Sequence, residues 1–414
     1  MRYFPSSVQP AARLAGLLLG ASLAACQSNS DKAATVTQPT ATSSATSEGP
    51  SDSPGAWYRQ YRGVLPGSTD TITLHLQVWP RAANTEFGGL TASYAGPDGH
   101  PFGLGGSAGP ADSLTLQDYT PGHGCSGSQP IAWRLRRQSN LLTGTVGGRA
   151  VQFRQTQPAG SLQLVSRFFR DSVAAFPQTP GTPYARQQLL ALLPAVSRSP
   201  NRILQDNLLR GLRDDTVDTQ PAPTLQKLWQ QRLKQYTQDY RQDAAGSRPE
   251  PGDTSLPAFG IGLRYDEQQS MHVFWNQAPL LSVGYFSYSY TGGARGMYGT
   301  SAATFDTRTG RRLRYDDIFR AGVSSQIEVL LDQAARRLFK LAPNEPLDKV
   351  LFEKHLPATR NVFLTSGGAV FIYSPYEVAS YAQGEIWVFV PFSELRPLLR
   401  PGLPVAGGGE VAKP

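Results

Sequence analysis

Cysteine, histidine and methionine are scarce in this sequence, with two, five and three residues among 414. Two cysteines cannot build the disulfide framework of a small exported domain. The histidines stand singly, with no H-E-x-x-H spacing and no ligand pairs of the zinc type. No P-loop is present either, so neither a metal nor another cofactor is indicated. Beyond residue 26 nothing approaches 18 uncharged apolar residues, which excludes a later membrane-spanning helix.

What is present begins with a short apolar run, Leu14 to Ala25, that ends on Cys26. Arg2 and Arg13 give it a positive leader, and it falls short of the roughly 20 residues a bilayer requires. Leu23-Ala24-Ala25-Cys26 matches a lipobox, so residues 1–25 are expected to be a lipoprotein signal peptide and Cys26 the lipid attachment site. An ordinary secretory leader with an incidental cysteine is the alternative. Each buried acyl methylene contributes about 0.8 kcal/mol, and two or three chains hold a protein where one does not. Residues 26–55, rich in Ser, Thr, Ala and Pro, bury too little surface to offset their ordering entropy and read as a tether. About 28 residues of flexible coil span roughly 30 Å. Gln27 after the cysteine favours the outer membrane by sorting convention.

The formal charge is +8, and it falls by two when Arg2 and Arg13 leave with the signal. A basic envelope protein is drawn to anionic headgroups, though a mildly cationic solvated surface is the simpler reading. No nucleic-acid motif accompanies the charge, and nothing in the sequence sets the oligomeric state. With Cys26 lipidated, Cys125 has no partner in the chain and is either buried or an isolated thiol.

From residue 56 to 157 short alternating runs separated by turn signals predict an antiparallel β meander or barrel. Thr143 to Val146 meets Arg149 to Phe153 across Gly147-Gly148, a two-residue hairpin turn. From 158 to 256 a helical α+β subdomain is expected, with helical periodicity after the Pro177 to Pro183 loop. Its clearest helix opens at Thr224 and carries Leu225, Leu228, Trp229, Leu233, Tyr236 and Tyr240 on one face, with Lys227, Arg232, Lys234 and Arg241 opposite. From 257 to 400 strands return at Ala258 to Tyr265, His272 to Trp275, Leu280 to Tyr290, Ala369 to Tyr373 and Glu385 to Val390. A helix interrupts them, with Ser325-Gln-Ile-Glu328 as a capping box and Ile327, Leu330, Leu331, Ala334, Ala335 and Leu338 as its stripe. Residues 401–414 form a tail. The fold class is α+β with antiparallel pairing.

Two stretches carry a resemblance. One is Tyr288-Ser-Tyr-Thr-Gly-Gly-Ala-Arg-Gly-Met-Tyr-Gly-Thr-Ser301, which runs into Phe305-Asp306, Thr309-Gly310 and Asp316-Asp317-Ile-Phe319. The other is Phe371 to Gly384 with Val390-Pro-Phe-Ser-Glu-Leu395. They resemble the domain of unknown function that forms the extracellular part of RsiV-type, lysozyme-sensing anti-sigma factors, over roughly Ala258 to Leu399. The family usually carries His where this chain has Arg295. RsiV-type proteins have a sigma-binding segment and a transmembrane helix, and other members have a polysaccharide deacetylase domain; this sequence shows neither. The resemblance implies sensing or binding at the cell wall. Tyr290, Arg295, Met297 and Tyr298 are expected near one strand end, with Tyr373, Tyr376, Glu377 and Tyr381 on the second stretch. Clustered Tyr and Arg suit a binding hot spot, and a core with internally satisfied hydroxyls is the competing reading.

Catalytic patterns are weak. Gly105-Gly-Ser-Ala-Gly109 fits G-x-S-x-G, but a strand follows where a nucleophile elbow needs a helix, so a glycine-rich loop is expected. Asp118, His123, Cys125 and His100 lack metal-ligand spacing and read as a polar turn. Asp306, Asp316 and Asp317 are expected to cap turns rather than to pair for glycan cleavage, since adjacent strand residues face apart. The sequence thus predicts a lipid-anchored binding module for an envelope protein or glycan. Its rivals are a peptidoglycan-acting enzyme or accessory, and a lysozyme inhibitor. Positive charge argues against the last, because lysozyme is itself cationic. An acidic concavity near Glu377 and Glu385 would favour lysozyme, and a basic groove an anionic polymer.

Overall fold

The computed structural model describes residues 52–81, 89–118, 125–126, 129–195, 199–214, 221–247 and 261–405. The expected leader, Cys26 and most of the tether lie outside these residues, as do residues 401–414 beyond 405.

The first nine strands are β1 (Trp57–Val64), β2 (Thr71–Val78), β3 (Leu90–Ala95), β4 (Pro101–Ala108), β5 (Ser113–Asp118), β6 (Cys125–Ser126), β7 (Gln129–Gln138), β8 (Leu141–Val146) and β9 (Arg149–Thr156). Consecutive strands pair antiparallel from β1 to β5 and from β6 to β9, β9 returns to β1, and β5 pairs with β7 rather than with the two-residue β6. The result is an eight-stranded antiparallel barrel, as the meander pattern anticipates. Eight strands leave an interior just wide enough for side chains. Tyr61, Leu74, Leu116, Trp133 and Phe153 fill it, and Tyr94 donates its hydroxyl to Asp118 at 2.9 Å inside it. Asp118 is therefore a barrel-core acceptor. His123 lies outside the described residues, and Gly105 to Ala108 belongs to β4 rather than to the expected loop.

A six-stranded sheet follows, made of β10 (Leu164–Ala174), β11 (Tyr184–Pro194), β12 (Tyr265–Gln277), β13 (Leu280–Thr291), β14 (Met297–Asp306) and β15 (Arg312–Leu313) in that order. The helical periodicity expected after Pro183 is instead strand β11. Its run Leu189 to Leu193 is buried throughout, and a short apolar run of this kind reads equally as a buried helix or a central strand. The sheet also crosses the boundary expected at residue 256. β11 and β12 are parallel, an exception to the antiparallel expectation, because α1 (Asn201–Leu212) and α2 (Leu225–Ala244) form the crossover that a parallel pair requires. Thr224 caps α2 through Lys227 N as its sequence suggests. Arg232 departs from the solvated face, since it donates to Leu212 O at 2.6 Å under the helix. Leu204, Leu208, Leu212, Leu228 and Trp229 cover the face of the sheet that bears Met271, Val273 and Val283. The strand expected from Ala258 begins at Tyr265; residues 261–263 are a helical turn, and 258–260 are outside the described residues.

The third layer is a small sheet of β16 (Val362–Leu364), β17 (Gly368–Tyr373) and β18 (Ile386–Pro391). The short helix α3 (Tyr315–Ile318) and α4 (Ser324–Leu338) precede it, and α5 (Phe392–Leu395) follows. Ile327, Leu331, Ala334 and Ala335 of α4 pack on Phe371, Tyr373 and Val388. The capping box expected at Ser325 does not form, because α4 starts one residue earlier, and Glu328 accepts from Ala358 N instead. The other face of this sheet, Phe363, Val370 and Ile372, meets Phe274 and Ala302 of the six-stranded sheet. Asp306 pairs with Arg308, Asp317 accepts from Arg314 N and Asp316 pairs with Arg360.

Three side-chain amides join these layers by imitating a peptide group. β11 pairs with β12 only as far as Ser270, which leaves Met271 and Val273 with an open strand edge. Gln77, on the outer face of the barrel, donates to Met271 O and accepts from Val273 N, both at 2.7 Å, and Ser93 donates to Val273 O at 3.0 Å. Asn276 makes the same paired bonds to Leu162 N and O at 2.8 Å. Asn361 accepts from Ala302 N and donates to Thr300 O at 2.7 Å, which ties the small sheet to β14. Replacing Gln77 by Leu strands two buried backbone groups, each worth about 1–3 kcal/mol. Gln77→Leu is therefore expected to lower the urea-unfolding free energy by roughly 2–4 kcal/mol, and an unchanged midpoint would contradict the docking role.

Candidate functional site

The three layers leave a cleft of about 650 Å3 between them. Its floor is the face of the six-stranded sheet that bears Gln268, His272, Phe286, Tyr298 and Thr300. Cross-strand pairing puts these residues on one side, with Gln268 opposite Tyr288 and Phe286 opposite both Ser270 and Thr300. One wall is the outer face of β2 to β5, with Trp79, Thr91, Ser93 and Gln117, and the other is Tyr381 to Phe389.

The barrel closes one end of the cleft with its β3–β4 turn. A Cβ on Gly99 or on Gly367 would collide with the backbone of the facing turn, so only two glycines permit this approach. Beside them His100 is stacked between Phe102 and Phe389, 4.4 Å from each ring centre. On the barrel wall β4 is open: a Cβ at Gly103 meets nothing within 4 Å.

A chain of rings crosses the floor. Trp79 lies 6.2 Å from His272, His272 5.4 Å from Phe286, Phe286 6.0 Å from Tyr298 and Tyr298 5.6 Å from Tyr381. It ends at the rim, where Tyr376 sits 5.7 Å from Tyr381 and the Arg295 guanidinium lies over both rings, at 4.3 Å from Tyr381 and 5.2 Å from Tyr376. Tyr381 also donates to Gly296 O at 2.9 Å, which ties the small sheet to the Arg295 loop. Tyr376 is 44% exposed and has a φ of +69°. A bulky residue rarely adopts that left-handed conformation, and strain of this kind concentrates at functional positions.

Four of the residues expected at the site, Arg295, Tyr298, Tyr376 and Tyr381, thus come together, with Met297 exposed beside them. The other three do not join them. Tyr373 is buried beneath α4 and donates to Pro357 O at 2.8 Å. Tyr290 donates to Gly293 O within its own hairpin, and Glu377 accepts from Ser374 N and shapes the turn that holds Tyr376. Sequence reasoning missed Trp79, Gln268, His272, Phe286 and Trp387. The alternation of β12 at 268, 270, 272 and 274 was a usable signal for one shared face.

Burial governs the electrostatics. His272 shares a 2.9 Å hydrogen bond with Ser270, and desolvation lowers its pKa to about 4. His75, buried between the barrel and the sheet and bonded to Tyr58 at 2.9 Å, is lowered to about 3 for the same reason. Both rings are therefore neutral at pH 7. Desolvation pushes the Glu385 carboxyl up, against the lowering effect of donation by Thr300 and Trp387 to Oε2. Its Oε1 is sealed from solvent with no hydrogen-bond partner among the described residues. Among those residues no group of three or more His, Cys, Asp or Glu side chains is placed to hold a metal. No helix among them is long and apolar enough to cross a membrane.

The two histidines fix an expected pH profile. A folded pKa below the ordinary 6.5 means that the unfolded chain binds the proton more tightly. Their contribution is intact above about pH 6.5 and is lost as the pH falls towards about 4 for His272 and about 3 for His75. Asp266, raised to about 6 by burial, and the Glu267 and Glu385 carboxyls, raised for the same reason, oppose them, since their cost is relieved on acidification. The melting temperature should fall between pH 7 and 4.5, and His75→Gln should flatten that slope. A flat wild-type profile would contradict the assignment.

Comparison with known proteins bears on the same region. Residues 316–393 match the family model described as a protein of unknown function, DUF3298. A crystal structure of a DUF3298 family member from Bacteroides fragilis is similar over 59% of this chain and 96% of that one, with 22% identity and a TM-score of 0.51. A DUF3298 family protein from Pseudomonas aeruginosa is similar over 59% of this chain and 97% of its own, with 19% identity and a TM-score of 0.39. No curated protein matches the chain. The chain thus carries a DUF3298 domain, a domain of unknown function, and has structural neighbours in that family.

Proposed function

We propose that this chain is a non-catalytic binding or sensing protein of the cell envelope. A lipid on Cys26 tethers it to the outer membrane, and it takes a cell-wall protein or glycan at the rim and mouth of the cleft. The observation that carries this reading is the rim cluster. Arg295 has no hydrogen-bond partner among the described residues, and its guanidinium lies over the rings of both Tyr376 and Tyr381. A fork held in this way keeps its five donors for a ligand and loses little entropy on binding. Tyr376 is kept exposed at the cost of backbone strain, as expected of a contact residue.

Resemblance of the 288–301 and 371–395 stretches to RsiV-type sensor domains supports the same reading. An enzyme acting on peptidoglycan would need a free acid and base facing the cleft. His272 is instead tied to Ser270, and the Glu385 carboxylate is committed to Thr300 and Trp387.

Co-sedimentation with purified peptidoglycan, and capture by immobilised lysozyme, test the binding role. Wild type should be retained by one of them, and Arg295→Ala should reduce retention about tenfold, equivalent to about 1.4 kcal/mol. Tyr376→Asn should also lose binding while holding or raising stability by up to about 1 kcal/mol, because Asn tolerates the left-handed region. Equal retention of both variants, or of neither bait by wild type, overturns the proposal. Incorporation of labelled palmitate should disappear in Cys26→Ser; labelling that persists, or that wild type lacks, removes the anchor.

A further inference from the structure

We infer that the ligand of the cleft is an uncharged oligosaccharide, an assignment that rests on the binding function proposed above and specifies its chemical class. The first argument is charge. Arg81 and Glu385 are the only Asp, Glu, Lys or Arg among the described residues that line the cleft. Arg81 already has an interaction within the chain, and Glu385 spends one carboxylate oxygen on Thr300 and Trp387 while the other is sealed. Inside the rim that Arg295 marks, the described lining is therefore poor in charge for a polyanion or a basic protein. His272, held neutral, adds no charge.

The second argument is the kind of surface that remains. Tyr298, Tyr381, Trp387 and Phe389 line the cleft and are each only partly buried, so much of its surface is aromatic. A pyranose ring has an apolar C–H face that lies flat on an aromatic ring, and an edge of hydroxyl groups that needs planar donors and acceptors. The volume is within the ~300–1,000 Å3 of small-ligand sites and suits a chain of a few sugar rings.

The third argument is a polar group on the floor. Gln268 is only 3% exposed and lines the cleft. A carboxamide placed there can exchange contact with water for hydrogen bonds to a ligand. Its carbonyl and amino groups match two neighbouring hydroxyls. Gly103 supplies the room, since open space lies where its side chain would project from the barrel wall.

Titration of the full-length protein with the β-1,4-linked tetramer of N-acetylglucosamine, cellotetraose and maltotetraose, read by tryptophan fluorescence and calorimetry, tests the inference. Pentalysine and polyphosphate serve as charged probes. At least one neutral tetrasaccharide should bind saturably. Gly103→Trp, which places an indole where a Cβ meets nothing within 4 Å, should abolish that binding, and Gln268→Ala should weaken it about tenfold; both should keep the wild-type circular dichroism spectrum. Binding of no tetrasaccharide, or binding that Gly103→Trp leaves unchanged, overturns the oligosaccharide assignment. If a charged probe or peptidoglycan still binds and Gly103→Trp blocks it, the cleft remains the binding site and only the ligand class fails. If Gly103→Trp affects nothing that the protein binds, the cleft itself is the wrong site.

Discussion

Beyond Ser270 the central strand β12 loses its neighbour, and the Gln77 carboxamide of the barrel takes that place. An open strand edge buried between two domains must find partners for its N–H and C=O groups, because each one left unpaired costs about 1–3 kcal/mol. A strand from elsewhere would have fused the barrel and the sheet into one continuous layer. A side-chain amide satisfies the same groups at a single point and leaves the barrel an independent closed body. Asn276 and Asn361 repeat the device at the barrel-to-sheet connection and at β14. With the barrel pinned at Met271 and Val273, and its β3–β4 turn resting on Gly367, a gap between the two contacts follows from the geometry. That gap is the cleft.

The surroundings of the cleft are tuned by exclusion of charge more than by its placement. His75 and His272 stay neutral because burial removes the water that would stabilise an imidazolium. Glu385 is held by two donors and shielded on its other oxygen. Charge is kept for the rim, where Arg295 rests on tyrosine faces in contact with solvent. A low-charge pocket with a cationic rim separates holding a ligand from orienting it, and it differs from both the acidic concavity and the basic groove that the sequence left open.

The parts of this arrangement legible in the sequence were those built on local pattern. The barrel follows from alternation and glycine turns, α2 from its Thr224 cap and apolar stripe, and the rim from the density of Tyr and Arg around residues 290–298 and 376–381. What could not be read depends on long-range contact. His75, Gln77 and Ser93 alternate with apolar residues just as solvent-facing polar residues do, so their burial against a second sheet leaves no periodic trace. The run Leu189 to Leu193 is apolar at every position and hides its strand identity. Tyr373 and Tyr376 lie three residues apart with similar side chains, yet one is core and the other surface, because a left-handed turn set by Glu377 separates them. Gln268 and Trp387 come to line one cleft only when the small sheet packs on the six-stranded sheet.

The claim on which this account rests is that a side-chain amide holds the open edge of β12, and the hydrogen exchange of the Val273 amide measures it directly. If Gln77 pairs with that group in every folded molecule, the amide exchanges only through global unfolding, as slowly as that of Val283 across the ladder, and it loses protection in Gln77→Ala. Exchange of Val273 in the wild type at the rate of an exposed edge amide would contradict the account.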